Sequence, residues 1–170
     1  MTTIVFAGAE PRHPLGQKLT QIFGQHPWQS IQADNVSPHH PVHWRTHHYP
    51  VWPRVLWQRW QDPNTIIGVR FGNQTTYGLL DIDAGSPYQP PEAIAQIRAA
   101  LETIGITRTL LLRSSHSNGL HLYLPLPEPV ATFGLAVCLQ QCLQAHHFPL
   151  APGRLEIFPN VKTYGVERFI

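Results

Sequence analysis

Three stretches of this sequence alternate apolar and polar residues at a period of two. They are Leu80-Asp81-Ile82-Asp83, Leu120-His121-Leu122-Tyr123-Leu124 and Arg154-Leu155-Glu156-Ile157-Phe158. Such alternation describes a strand with one face in a core and the other turned away from it. The chain is thereby constrained to a sheet covered on one side only. Its uncovered face must carry two aspartates, a glutamate, an arginine and a histidine, which are costly residues to gather for stability alone.

Two helical patterns supply the cover. Pro91 to Ile104 sets Ile94, Ile97, Leu101 and Ile104 on one face and ends at Gly105. Ala131 to His146 is a second amphipathic helix. Thr107 to Ser114 reads as a further strand. From Thr75 to Pro159 the order is strand, helix, strand, strand, helix, strand. That order is the ferredoxin-like, or RNA-recognition-module-like, split βαβ arrangement of the α+β class. Its usual spatial strand order, 4-1-3-2, centres the Asp-Ile-Asp strand, with the Glu156 strand on one side and the His121 strand on the other.

The first part of the chain has a different texture. Residues 1–63 are expected to form a small α/β module rich in His and Pro, and residues 64–170 the RNA-recognition-module-like one. Thr3 to Ala7 reads as a short strand, and Pro14 to Gly24 as a helix with Leu15, Leu19, Ile22 and Phe23 on one side. Residues 35–53 hold five His and four Pro without a period and read as a loop. Pro53 to Gln61 reads as a short helix with Pro in its first turn. Ile66 to Phe71 reads as a strand that turns at Gly72-Asn73 into the Thr75 strand, making a hairpin.

Composition narrows the function classes. Hydrophobic residues make up 42% and charged residues 13% of the 170, with a formal charge of +2. A core can form, and the charge is too small to indicate nucleic acid by itself. Ten of the twelve basic residues are Arg, which suits bidentate phosphate contacts and equally suits a GC-rich genome. No signal peptide pattern opens the chain and no apolar run approaches the ~20 residues of a membrane span, so a cytoplasmic protein with no membrane partner is expected. Cys138 and Cys142 suggest no disulfide framework.

Three constellations can carry chemistry. Asp81-x-Asp83, before Ala84-Gly85-Ser86-Pro87, places two carboxylates where they can share a hard cation such as Mg²⁺ or Mn²⁺. The same acids can equally cap a strand end. Arg113-Ser114-Ser115-His116-Ser117-Asn118-Gly119-Leu120-His121 is a polar turn able to offer N–H groups and hydroxyls to a phosphate, with His121 following on the sheet face. It can also be a plain hairpin loop. Leu155-Glu156-Ile157-Phe158-Pro159-Asn160, with Lys162 behind it, supplies either a third carboxylate or an ordinary surface glutamate.

Taken together and in this order, the three resemble the archaeo-eukaryotic primase superfamily, the primase-polymerases. That family has an acidic DxD or DxE motif, a Ser-x-x-Gly-x-His type motif on a following strand, then a third acidic residue. The Glu-Ile-Phe-Pro string resembles the third motif of its bacterial and mobile-element branches. The resemblance covers residues 64–162. It implies a DNA primase or DNA-directed polymerase, a nucleotidyltransferase that uses two Mg²⁺ or Mn²⁺ ions. Asp81, Asp83 and Glu156 would hold the metals, with His121 beside them in catalysis. Arg113, Ser115, Ser117, Asn118, Gly119, His121 and Lys162 would hold the nucleoside triphosphate. Single-stranded DNA would be the template, read through Arg and aromatic residues. Members of the family continue past the third motif, so this chain is expected to be truncated, weakly active or inactive alone, and to work with further domains or a helicase.

Other readings compete. A rolling-circle replication endonuclease needs two His one residue apart on a strand and a Tyr nucleophile; here Tyr123 stands where the second His belongs, and Tyr164 is the candidate nucleophile. A non-catalytic nucleic-acid-binding module would present aromatics rather than acids on its sheet. Cys138, Cys142 and His146 share a helical stripe that suits zinc or burial. His39, His40, His43, His47 and His48 form either a metal cluster or a loop.

Overall fold

The computed structural model describes residues 10–24, 30–34, 42–114 and 117–161. The chain forms two compact units, Met1–Gly72 and Asn73–Ile170. The first contains α1 (Pro14–Phe23), β1 (Ser30–Asp34), β2 (Arg45–His47), α2 (Pro53–Trp60) and β3 (Thr65–Val69). Helix α1 starts where the sequence marks it, because His13 accepts the Leu15 N–H at 3.2 Å and Pro14 has no N–H to lose. The expected strand at 3–7 lies outside the described residues.

Two expectations for this unit are corrected. Residues 35–53 are not all loop, since β2 lies among them and pairs with β1. Nor does the 66–71 segment form a hairpin with the strand that follows it. Strand β3 pairs antiparallel with β1, giving the sheet order β2-β1-β3. The reason lies in burial: Ile67 packs with Val51 and Leu56, the latter on α2, so β3 gains its core in the first unit. Gly72-Asn73 is the passage between units rather than a turn within a sheet.

The second unit contains β4 (Gln74–Ile82), α3 (Pro91–Glu102), β5 (Leu110–Arg113), β6 (Leu120–Ala131), α4 (Thr132–Ala145) and β7 (Leu155–Phe158). Its strands are antiparallel in the order β5-β6-β4-β7. This is the expected 4-1-3-2 order, with the Asp-Ile-Asp strand central. The alternation explains the layering. Leu80, Ile82, Leu122, Leu124 and Leu155 are fully buried, together with Ile97 and Leu101 of α3 and Leu139 and Leu143 of α4. Each such side chain contributes about 1.5–3 kcal/mol, so the covered face anchors the sheet.

Strand β6 runs five residues beyond its expected end at Leu126. Pro125, Pro127 and Pro129 argue against a strand in sequence, but they recur at every second position. Their missing N–H groups therefore fall along one edge, and pairing with β4 resumes at Val130 and Ala131 after a bulge. On α4, Cys142 is buried, its thiol 3.2 Å from the Ala100 carbonyl, whereas Cys138 is exposed. His146 ends the helix, 3.4 Å from the Thr103 hydroxyl. Among the described residues no helix is long and apolar enough to cross a membrane.

Candidate functional site

On the face opposite α3 and α4, register places one row of side chains side by side. Asp81 lies directly across from His121 on β6 and from Glu156 on β7. Residues directly opposite in antiparallel strands project from the same face at close range. The His121 ring comes within 3.5 Å of Asp81, Nε2 to Oδ1, and both side chains are half-buried. Burial pushes the Asp81 carboxyl above its ordinary range; His121 draws it down, and the charge of Asp83 pushes it up again. Glu156 is also pushed up, first by burial, then by Asp83 and Asp81, against a hydrogen bond from the Gly153 backbone. Three carboxylates thus sense one another across two strands and a turn.

Asp83 stands one residue past β4. Its N–H donates to the Arg154 carbonyl at 3.3 Å, and its own carbonyl accepts from Ser86 N–H at 3.1 Å. The turn this closes uses Gly85 at φ 78°, a left-handed conformation open to glycine. The Asp83 Oδ2 atom is buried and has no hydrogen-bond partner among the described residues. A buried carboxylate oxygen left alone is expensive, so the position suits a cation.

Among the described residues no three His, Cys, Asp or Glu converge as a ready-made cage for an ion. The donor set still fits a hard divalent cation. Mg²⁺ takes one or two carboxylates and completes its shell with water and substrate phosphates. An orphaned carboxylate oxygen beside two carboxyls of raised pKa is the corresponding arrangement on the protein side.

The polar turn between β5 and β6 is packed against this row. Ser114 N–H donates to the Gly119 carbonyl at 2.9 Å, the Ser117 hydroxyl to the Ser114 hydroxyl at 3.0 Å, and Gly119 N–H to Ser117 Oγ at 3.3 Å. Asn118 holds φ 58°. A Cβ on Gly119 would lie 2.9 Å from the Ile82 carbonyl and 3.5 Å from Asp83 Cα. Glycine is required here because the loop backbone runs along the end of β4, next to the acids. The Gln89 side chain, from the stretch before α3, donates to the Asn118 carbonyl at 3.2 Å and ties the acidic turn to the loop. Gln89 carries no sequence signal; it meets its partner only through the fold.

Other expected site residues separate from the row. Arg113 lies across from Leu120, which puts it on the helix-bearing face, while Leu112 lies across from His121. Ser117, Asn118 and Gly119 are in the turn; Ser115 and Lys162 lie outside the described residues, as does Tyr164. Below the acids this face becomes apolar: Leu79 lies across from Tyr123 and Phe158. The Tyr123 ring is 6.1 Å from His121 and 6.2 Å from Tyr77, and burial followed by the charge of Asp81 pushes its phenol up. In the first unit His47 is buried, 3.0 Å from Gln32 Oε1 and 3.2 Å from Arg59 Nη1, and burial with Arg59, Arg45 and His48 depresses its pKa. It is a core histidine, and His43 and His48 are exposed; His39 and His40 lie outside the described residues.

No protein-family model matches the chain, and no curated protein matches it in sequence. Among solved structures it is similar to the polymerase domain of ligase D from Mycobacterium tuberculosis, determined in complex with DNA. The TM-score is 0.50 at 18% identity, over 82% of this chain and 67% of that one. The shared property is the fold, a mixed α+β architecture with two antiparallel sheets.

Proposed function

We propose that this chain is the catalytic core of a primase-polymerase, a metal-dependent nucleotidyltransferase that joins nucleoside triphosphates on a single-stranded DNA template. The observation that carries the reading is the row His121–Asp81–Glu156, with the orphaned Oδ2 of Asp83 two residues along the chain from its centre. The fold shared with a polymerase domain that was solved with DNA supports it. On this reading Asp81, Asp83 and Glu156 hold Mg²⁺ or Mn²⁺. When bound, the ions would lower the pKa of the attacking hydroxyl and offset charge on the leaving pyrophosphate. His121 offers a ring N–H to a phosphate oxygen, from a position braced by Asp81. Ser117 and Asn118 place polar side chains in the described part of the turn, beside the backbone bond from Ser114 N–H to the Gly119 carbonyl, as groups for a triphosphate to meet. Leu79, Tyr123 and Phe158 form a half-buried apolar floor beside the acids.

The test is Mn²⁺ titration of the full chain, followed by incorporation of nucleotides on a primed single strand. Asp83→Ala is expected to lose the tight Mn²⁺ site and to reduce incorporation on the order of 10²–10³-fold, the size of losing one stabiliser of transition-state charge. Undiminished Mn²⁺ binding in both Asp81→Ala and Asp83→Ala would remove the proposal. Single-strand binding indifferent to divalent ions would favour a non-catalytic binding module instead.

A further inference from the structure

The two edges of the second sheet are unlike. Strand β7 is half core: Leu155 and Ile157 are buried, and Glu156 belongs to the acid row. Strand β5 is exposed at every residue, and its three leucines are 39%, 37% and 39% accessible at Leu110, Leu111 and Leu112. Among the described residues no strand pairs with its outer side. Leu110 and Leu112 project from the uncovered face, across from Tyr123 and His121, while Leu111 projects from the other. An edge apolar on both faces, with a row of backbone donors and acceptors that no described strand pairs, is a template for one more strand.

The flanks select the occupant. Exposed Arg108 and Arg113 bracket the leucines, and no acidic residue lies between Thr103 and Ser117. In an antiparallel pair of two copies centred on Leu111, Arg108 of each would lie across from Ser114 of the other, and four arginines would line the seam with no acid between Thr103 and Ser117 to offset them. Like charges gathered along one seam without a counter-charge disfavour that pairing. A foreign strand with an apolar centre and acidic flanks meets the leucines and both guanidinium groups at once.

We propose that β5 is a docking edge for an extended peptide segment of a partner protein, apolar at its centre and acidic at both ends, added as a fifth strand. The site is separate from the nucleotidyl-transfer reading and does not depend on it. The experiment is NMR titration and amide hydrogen exchange on the full chain. One capped peptide carries three valines flanked on each side by two glutamates, and a second carries lysines in place of the glutamates. The glutamate peptide should bind more tightly and bring new protection to amides within Leu110–Arg113. Arg108→Glu should weaken it by about two- to fivefold, the scale of an exposed ion pair, and should favour the lysine peptide. Leu111→Thr, a strand-compatible change at an exposed position, should weaken both with the thermal midpoint unchanged.

Equal binding of the two peptides, no binding, or protection along β7 instead would overturn the proposal. So would a concentration-dependent dimer of the chain that Leu111→Thr dissolves, which would make a second copy the occupant.

Discussion

At Asp81 three influences meet, and their balance sets how the protein responds to pH. Burial and Asp83 push the carboxyl up, and His121 pulls it down. The net direction is upward, as it is for Glu156. A carboxyl whose folded pKa lies above its unfolded value holds its proton more tightly in the folded state. Stability is therefore lost as pH rises from the ordinary carboxylate range through the raised values, and it stays lost above them. In a metal-free chain the thermal midpoint should fall across that window, and Mn²⁺ should flatten the fall. Asp81→Asn removes one charge from the repelling set. It should raise the metal-free midpoint at neutral pH by about 2–4 °C, the shift that roughly 1 kcal/mol makes in a chain of this size. Differential scanning fluorimetry in chelator across pH measures it; a pH slope unchanged by Asp81→Asn would mean that the acids do not strain the sheet. The acids and His121 were legible as residues because alternation sets their face. Their order of influence was not, since burial and through-space charge depend on neighbours 40 and 75 positions along the chain.

Between elements, the contact that matters is the passage of the β5–β6 turn along the end of β4. Gly119→Ala would place a methyl 2.9 Å from the Ile82 carbonyl, which is backbone and has no rotamer to yield. Forcing it in should cost about 1–3 kcal/mol and shift Asp83, whose Cα lies 3.5 Å from the same point. Gln89→Ala deletes one side-chain hydrogen bond to Asn118, worth about 0.5–1.5 kcal/mol, and adds no clash. Melts paired with Mn²⁺ titration should therefore show both variants destabilised but Mn²⁺ affinity reduced only in Gly119→Ala. Equal loss of affinity would assign the effect to the loop tie rather than to crowding at Asp83. The glycine could be picked out by its motif spacing. The glutamine could not, because its partner is 29 residues away and nothing local marks the pair.

For the molecule as a whole, the described charges divide unevenly between the units. The first carries Arg12, Lys18, Arg45, Arg54, Arg59 and Arg70 against Glu10, Asp34 and Asp62. The second carries Arg98, Arg108, Arg113 and Arg154 against six acids, among them the row itself. On the proposed function, a polyanionic template is attracted to the first unit and repelled by the acids of the second unless cations offset them. Arg54 is exposed near the start of α2, away from the acid row in sequence and unit. Arg54→Ala should lower the slope of log affinity against log salt for single-stranded DNA by ~0.7, one phosphate contact, with Mn²⁺ binding unchanged. An unchanged slope would take Arg54 out of the template path.

The sequence by itself determined the second unit's class, its strand order and the face on which Asp81, Asp83, His121 and Glu156 stand. It could do so because period-two alternation and two amphipathic helices leave few ways to bury Leu80, Ile82, Leu122 and Leu155 at once. Tertiary structure alone decided where β3 belongs, since a short strand takes whichever partner buries its apolar face, and Ile67 finds that cover with Leu56. It also decided that Arg113 turns away from His121, because a one-residue difference in register exchanges the faces of a strand. And it isolated Asp83 Oδ2, whose want of a partner among the described residues depends on its three-dimensional surroundings and on no motif.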